Sequence, residues 1–117
     1  MRRLLAPASL LAAVCLAAGC GGAEISHDDL SRDDSALMAR RYHEDVVRLA
    51  GDVDSSPDPG TPGSCDAPCR FHPQIVDLTG RICAVSERDP IDEATRFLCE
   101  DARERERSSA RRHDACA

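Results

Sequence analysis

The sequence predicts an all-α fold: a disulfide-stapled antiparallel helical hairpin preceded by one amphipathic helix. Three observations predict it. Apolar residues recur at spacings near 3.6 in three stretches, beginning at Leu30, Ile75 and Ile91. The connection between the second and third stretches is so short that it forces antiparallel neighbours. Seven cysteines in 117 residues point to a bridged scaffold, the usual support where a short chain has a small core.

The first 19 residues read as an address rather than as fold. Met1-Arg2-Arg3 is a basic start, Leu4 to Ala18 is apolar, and small residues close the run, which is the order of a secretory signal. The apolar run is shorter than the roughly 20 residues needed to span a hydrocarbon core. Ala17-Ala18-Gly19-Cys20 resembles the lipobox of bacterial lipoproteins, with Ala17 where Leu is usual and Leu16 one place earlier. That resemblance implies cleavage after Gly19, a diacylglyceryl group on the Cys20 thiol and further acylation. Ordinary signal cleavage, with Cys20 left as a thiol, is the plainer reading. Gly21-Gly22 follows, without the Asp that favours inner-membrane retention in such lipoproteins, so the resemblance implies the outer membrane, facing the periplasm or the surface. Residues 20–26 then form a lipid-anchored tether.

Residues 27–50 carry Leu30, Leu37, Met38, Val46 and Leu49 on a helical period, with Asp28, Asp29, Asp33 and Asp34 at the amino end, where acids favour the helix dipole. An amphipathic helix ending at Gly51 follows, with His27 and His43 facing solvent. Residues 51–64 contain three each of Pro, Gly, Ser and Asp, and are read as a flexible linker. Whether the first helix packs beyond that linker is open.

Residues 65–117 form the cysteine-rich hairpin. Ile75, Leu78, Ile82 and Val85 give one stripe. Pro73 upstream can sit in a first turn, which would make 65–72 a separate turn or short helix. Asp89 as N-cap with Pro90 at the first helical position opens the next helix, whose apolar face is Ile91, Ala94, Leu98 and Ala102. The run Arg103-Glu104-Arg105-Glu106-Arg107 is a solvated surface with local ion pairs.

In an antiparallel hairpin, facing residues have numbers with a constant sum. Cys83 and Cys99 sum to 182, Cys65 and Cys116 to 181, and the implied centre near residue 91 lies beside Asp89-Pro90. Two cross-hairpin bridges are therefore predicted, with Cys69 as the odd cysteine. Pairing of Cys69 with Cys116, leaving Cys65 free, is the second arrangement the spacing allows. The same register sets Glu106 opposite Val76 and His113 opposite Cys69. Ile75-Val76-Asp77-Leu78, Ile82-Cys83-Ala84-Val85 and Cys99-Glu100-Asp101-Ala102 resemble the cysteine-rich helical-hairpin region of small bacterial lipoproteins. That resemblance covers about the last fifty residues, lacks cysteine at 76 and 106, and implies no known activity.

Composition narrows function further. The 21 acids outnumber 15 bases, all Arg; without residues 1–19, 13 Arg remain and the net charge is −8. Such a body repels nucleic acid and anionic headgroups, so the membrane is expected as partner only through the anchor, beside an unidentified protein. One Tyr, two Phe and no Trp leave little for a deep apolar pocket, and no nucleophile motif appears, so catalysis is not expected. A structural or protein-interaction role is the first reading. The alternative is a metal-binding or metal-delivery lipoprotein. Cys65-x3-Cys69-x2-His72, with His113 and Cys116 approaching from the other side, offers thiolate and imidazole ligands that zinc or copper accept. No cofactor besides the Cys20 lipid is expected under the first reading.

Overall fold

The structure, a computed structural model, describes residues 27–116, with side chains from Asp33 onward. The signal sequence 1–19, Cys20 and the rest of the tether lie outside those residues. Three helices follow in order: α1 His27–Asp54, α2 Asp66–Arg88 and α3 Glu93–Asp114. Residues from Ser31 onward form one compact unit. Among the described residues there is no strand, and no helix is long and apolar enough to cross a membrane.

The hairpin is as the cysteine sums require. Cys83 and Cys99 are bonded with Cα atoms 4.8 Å apart, and Cys65 and Cys116 with Cα atoms 5.6 Å apart, both inside the span a bridge can reach. Among the described residues, Cys69 is the free thiol. Bridge by bridge, the structure settles the two arrangements the spacing had left open.

The first helix packs on the hairpin. Ala39, Val46, Leu49, Ala50 and Val53 join Ile75, Ile82, Cys83, Cys99 and Ala102 in a single core, with Tyr42, Leu78, Val85 and Leu98 at its margin. Its buried stripe only partly follows the expected one: Val46 and Leu49 are buried, but Leu37 and Met38 are 41% and 40% exposed. Gly51 does not end it either. One more turn carries Val53, seven residues after Val46, to complete burial. Burying a Val side chain contributes about 1.5–3 kcal/mol, more than the roughly 1 kcal/mol a helical Gly costs relative to Ala. His43 also departs from expectation. Instead of facing solvent it donates to Asp101 Oδ2 at 2.6 Å, tying α1 to α3. Arg105 first, and His43 beside it, hold the Asp101 carboxyl below the usual carboxylate range.

The segment after Asp54 is a string of turns rather than featureless linker. Thr61 and Ser64 N–H groups donate back to Asp58 and Thr61 carbonyls, and Gly60 and Gly63 supply the positive φ values of 86° and 80°. Such φ values favour glycine. Arg112 of α3 donates to the carbonyls of Ser56 and Pro57, pinning this segment to the hairpin.

Both hairpin helices differ in their starts. α2 begins at Asp66 and runs through Pro73, so 65–72 is not a separate element. Pro73 is exposed and forgoes one backbone bond, while buried Pro68 lies in the first turn, where its missing N–H has no intrahelical partner to lose. α3 begins at Glu93, three residues later than expected, because Asp92 rather than Asp89 is its N-cap. The Asp92 carboxylate accepts from the N–H groups of Ala94 and Thr95 at 3.1 and 3.3 Å and from the Thr95 hydroxyl at 2.7 Å. Asp89 instead closes α2, its N–H donating to the Val85 carbonyl. Ile91 is left in the turn and 88% exposed, and Ala94 is exposed too. The Cys99 bridge fixes which side of α3 faces inward, so Thr95, Ala102 and Ser109 are buried.

The capping geometry has a measurable consequence. Asp92→Ala should destabilise the protein by about 1 kcal/mol, the usual cost of an N-cap loss. Asp89→Ala should cost less, because its contribution to the α2 terminus is made by its backbone. Urea unfolding of the two variants distinguishes these roles; equal losses would place the cap elsewhere.

Candidate functional site

The residues with the most chemical capacity gather at the open end of the hairpin, where α2 starts and α3 finishes. The Cys65–Cys116 bridge closes that end covalently. Next inward, on facing helices, are His72 and Ser109, and His72 Nδ1 is hydrogen-bonded to the Ser109 hydroxyl. Ser109 is buried, 1% exposed, so this bond satisfies a hydroxyl that water does not reach. The His113 ring lies against His72, with centroids 4.8 Å apart and planes inclined by 34°. His113 Nδ1 in turn lies 3.5 Å from Asp114 Oδ1. Burial, and secondly the neighbouring His113, push the His72 pKa below its ordinary value; Glu106 and Asp114 act in the opposite sense. His72 is thereby biased towards the neutral imidazole.

Of the five residues named as ligands for zinc or copper, the structure sorts three groups. Cys65 and Cys116 are bonded to each other, which removes both as thiolate donors while the bridge is intact. Cys69, one turn before His72 on α2, is an exposed free thiol. His72 and His113 are brought together. Among the described residues, no three His, Cys, Asp or Glu side chains form a ready ligand set. The Cys-x3-Cys-x2-His cluster is therefore not assembled in this disulfide-bonded form.

The opposite, turn end carries different chemistry. Ala36 and Arg40 of α1 and Ala94, Phe97 and Leu98 of α3 line a shallow, mostly apolar cleft. Phe97 is 64% exposed at its rim, and Ile91 protrudes from the turn. An exposed large apolar side chain on an apolar cleft, like Phe97 here, is what protein and membrane contact surfaces present.

Two of these residues, Ser109 and Phe97, were not singled out by sequence reasoning, and neither was the partner of His43. Ser109 was recoverable, since its number and that of His72 sum to 181, the register of the bridges. Phe97 and the His43 contact carried no such signal. Phe97 breaks the periodic stripe without announcing a surface role, and His43 acquires its partner only when α1 docks.

No protein-family model, curated protein or solved structure matches this chain. Among the described residues, the fold and the open end define a doubly bridged three-helix module with a histidine pair across its hairpin.

Proposed function

We propose that this chain is a bacterial lipoprotein, anchored to the outer membrane through lipid on Cys20. Its stapled helical module serves a structural or protein-interaction role without catalysis. The observation that carries this reading is the leader: a basic start, the apolar run Leu4 to Ala18, and Ala17-Ala18-Gly19-Cys20 at its end. Two further features support it. Paired bridges suit an oxidising compartment outside the cytosol. The exposed Phe97 of the turn-end cleft supplies a surface on which a protein partner can bury apolar area. More than one acyl chain on Cys20 holds the module stably, because each buried CH₂ contributes about 0.8 kcal/mol.

Expression of the full chain in a bacterial host fed an alkyne-tagged fatty acid tests the anchor. The natural chain should become labelled and sediment with outer membranes, and Cys20→Ala should do neither. Equal labelling of both, or an unlabelled natural chain released in soluble form, overturns the reading.

A further inference from the structure

We propose that His72 and His113 form a two-imidazole binding site for a divalent transition-metal cation, copper(II) foremost, across the open end of the hairpin. The inference is independent of the lipid anchor and uses only the two histidines of the ligand set considered above, without its cysteines. Four observations converge on it.

The first is spacing. The two rings belong to different helices, yet their centroids are 4.8 Å apart. Imidazole nitrogens bind zinc and similar cations at about 2.0–2.1 Å, so two rings sharing one ion bring their nitrogens to roughly 3 Å.

The second is the direction in which each ring is tethered. The partner of His72 is at Nδ1, the hydroxyl of Ser109, and the partner of His113 is also at Nδ1, the looser contact with Asp114. Neither Nε2 has a hydrogen-bond partner among the described residues. Metal-binding histidines are characteristically held this way, one nitrogen oriented by a neighbouring oxygen and the other left for the ion. Ser109 is buried, so it is a fixed tether rather than a surface contact.

The third is the scaffold. The Cys65–Cys116 bridge sets the separation of the helices at this same end. Two ligands on covalently joined helices lose less freedom on binding than two on independent segments, which favours affinity.

The fourth is charge. The carboxylates of Glu106 and Asp114 act on His72 with the sign that favours a neighbouring positive charge. A cation placed between the rings gains from the same field. Burial also favours neutral His72, the form that ligates.

The ligand type selects the ion. With Cys65 and Cys116 bonded to each other, and no third Cys, Asp or Glu side chain gathered with the two rings among the described residues, imidazole is the donor the pair offers, and it suits copper, nickel and zinc. Copper(II) heads the affinity order for such sites. The other coordination positions are open to water or to a donor from a partner molecule. Cys69 is outside the set.

The full chain, purified in detergent with both bridges intact, is titrated with copper(II) while its electron paramagnetic resonance spectrum is recorded. One equivalent should bind, with a hyperfine pattern showing two coordinated nitrogens. His113→Ala should weaken binding at least tenfold and remove one nitrogen coupling, and His72→Ala should do the same. Cys69→Ser should change neither affinity nor spectrum. Melting curves identify any loss of fold, and His113→Ala, at a half-exposed position, keeps the test decisive should His72→Ala unfold by releasing Ser109. Unaltered binding in His113→Ala overturns the proposal, as does binding that disappears in Cys69→Ser.

Discussion

Replacing Cys65 and Cys116 by serine is expected to lower the unfolding free energy by about 4 kcal/mol at 25 °C. The bridge spans 51 residues, enclosing both hairpin helices and their turn. On the chain-entropy model, its contribution comes from the conformations it denies the unfolded chain. The inner Cys83–Cys99 bridge spans 16 residues and shortens the outer loop to about 36 effective links. Loop entropy depends only logarithmically on length, so this lowers the outer contribution by only a few tenths of a kcal/mol. The inner bridge is expected to supply about 3 kcal/mol. A domain of this size is stable by roughly 4–13 kcal/mol in total, so reduction of both bridges should leave it marginal or unfolded. Guanidinium unfolding of C65S/C116S, with the inner bridge verified by mass, measures the first figure. A loss below about 1 kcal/mol would mean that the helix ends are held by packing and that the bridge adds little.

The same bridges explain which features were legible in the sequence. A pairing register normally has to be inferred from weak side-chain periodicity. Here four cysteines encode it as two sums, 182 and 181, and both pairs form. The antiparallel pairing of α2 and α3 was legible for that reason, while α1 was read from its periodicity alone. The starts and phases of helices were less so. Asp89 and Asp92 are both credible caps next to Pro90, and only the fixed position of Cys99 determines that Thr95 rather than Ala94 turns inward. Gly51 looked like a stop because propensity is local, whereas the burial of Val53 that carries α1 past it is a tertiary effect.

The candidate site was half legible. His72 and His113 stood out by residue type, but their juxtaposition depends on the angular position of each residue around its helix. Register alone set His113 against Cys69, since it measures distance along the helix axis and not rotation about it. The observed neighbour is His72, one turn further along α2. The fate of Cys65 follows similarly. As a sequence element it belongs to Cys-x3-Cys-x2-His, but its partner in space is Cys116, and the covalent bond takes it out of the ligand set.

The core gives the second large effect, and it separates buried periodicity from apparent periodicity. Ile82→Ala is expected to cost about 2–5 kcal/mol, because the side chain is completely buried and its removal combines lost transfer energy with a cavity. The neighbouring bridge at Cys83 restricts how far α2 and α3 can close around the gap, which favours the upper half of that range. Leu37→Ala removes as many carbon atoms from a residue that sequence periodicity had placed on the apolar face of α1. Yet Leu37 is about two-fifths exposed, so the expected cost is below about 1 kcal/mol. Val53→Ala falls between them, at about 1–2.5 kcal/mol, despite lying past the glycine that seemed to end α1. Thermal and urea unfolding of the three variants should therefore rank them Ile82, Val53, Leu37. If Val53→Ala proved neutral while Leu37→Ala was costly, α1 would have to pack on the hairpin by its other face, and the His43–Asp101 contact would be lost with it.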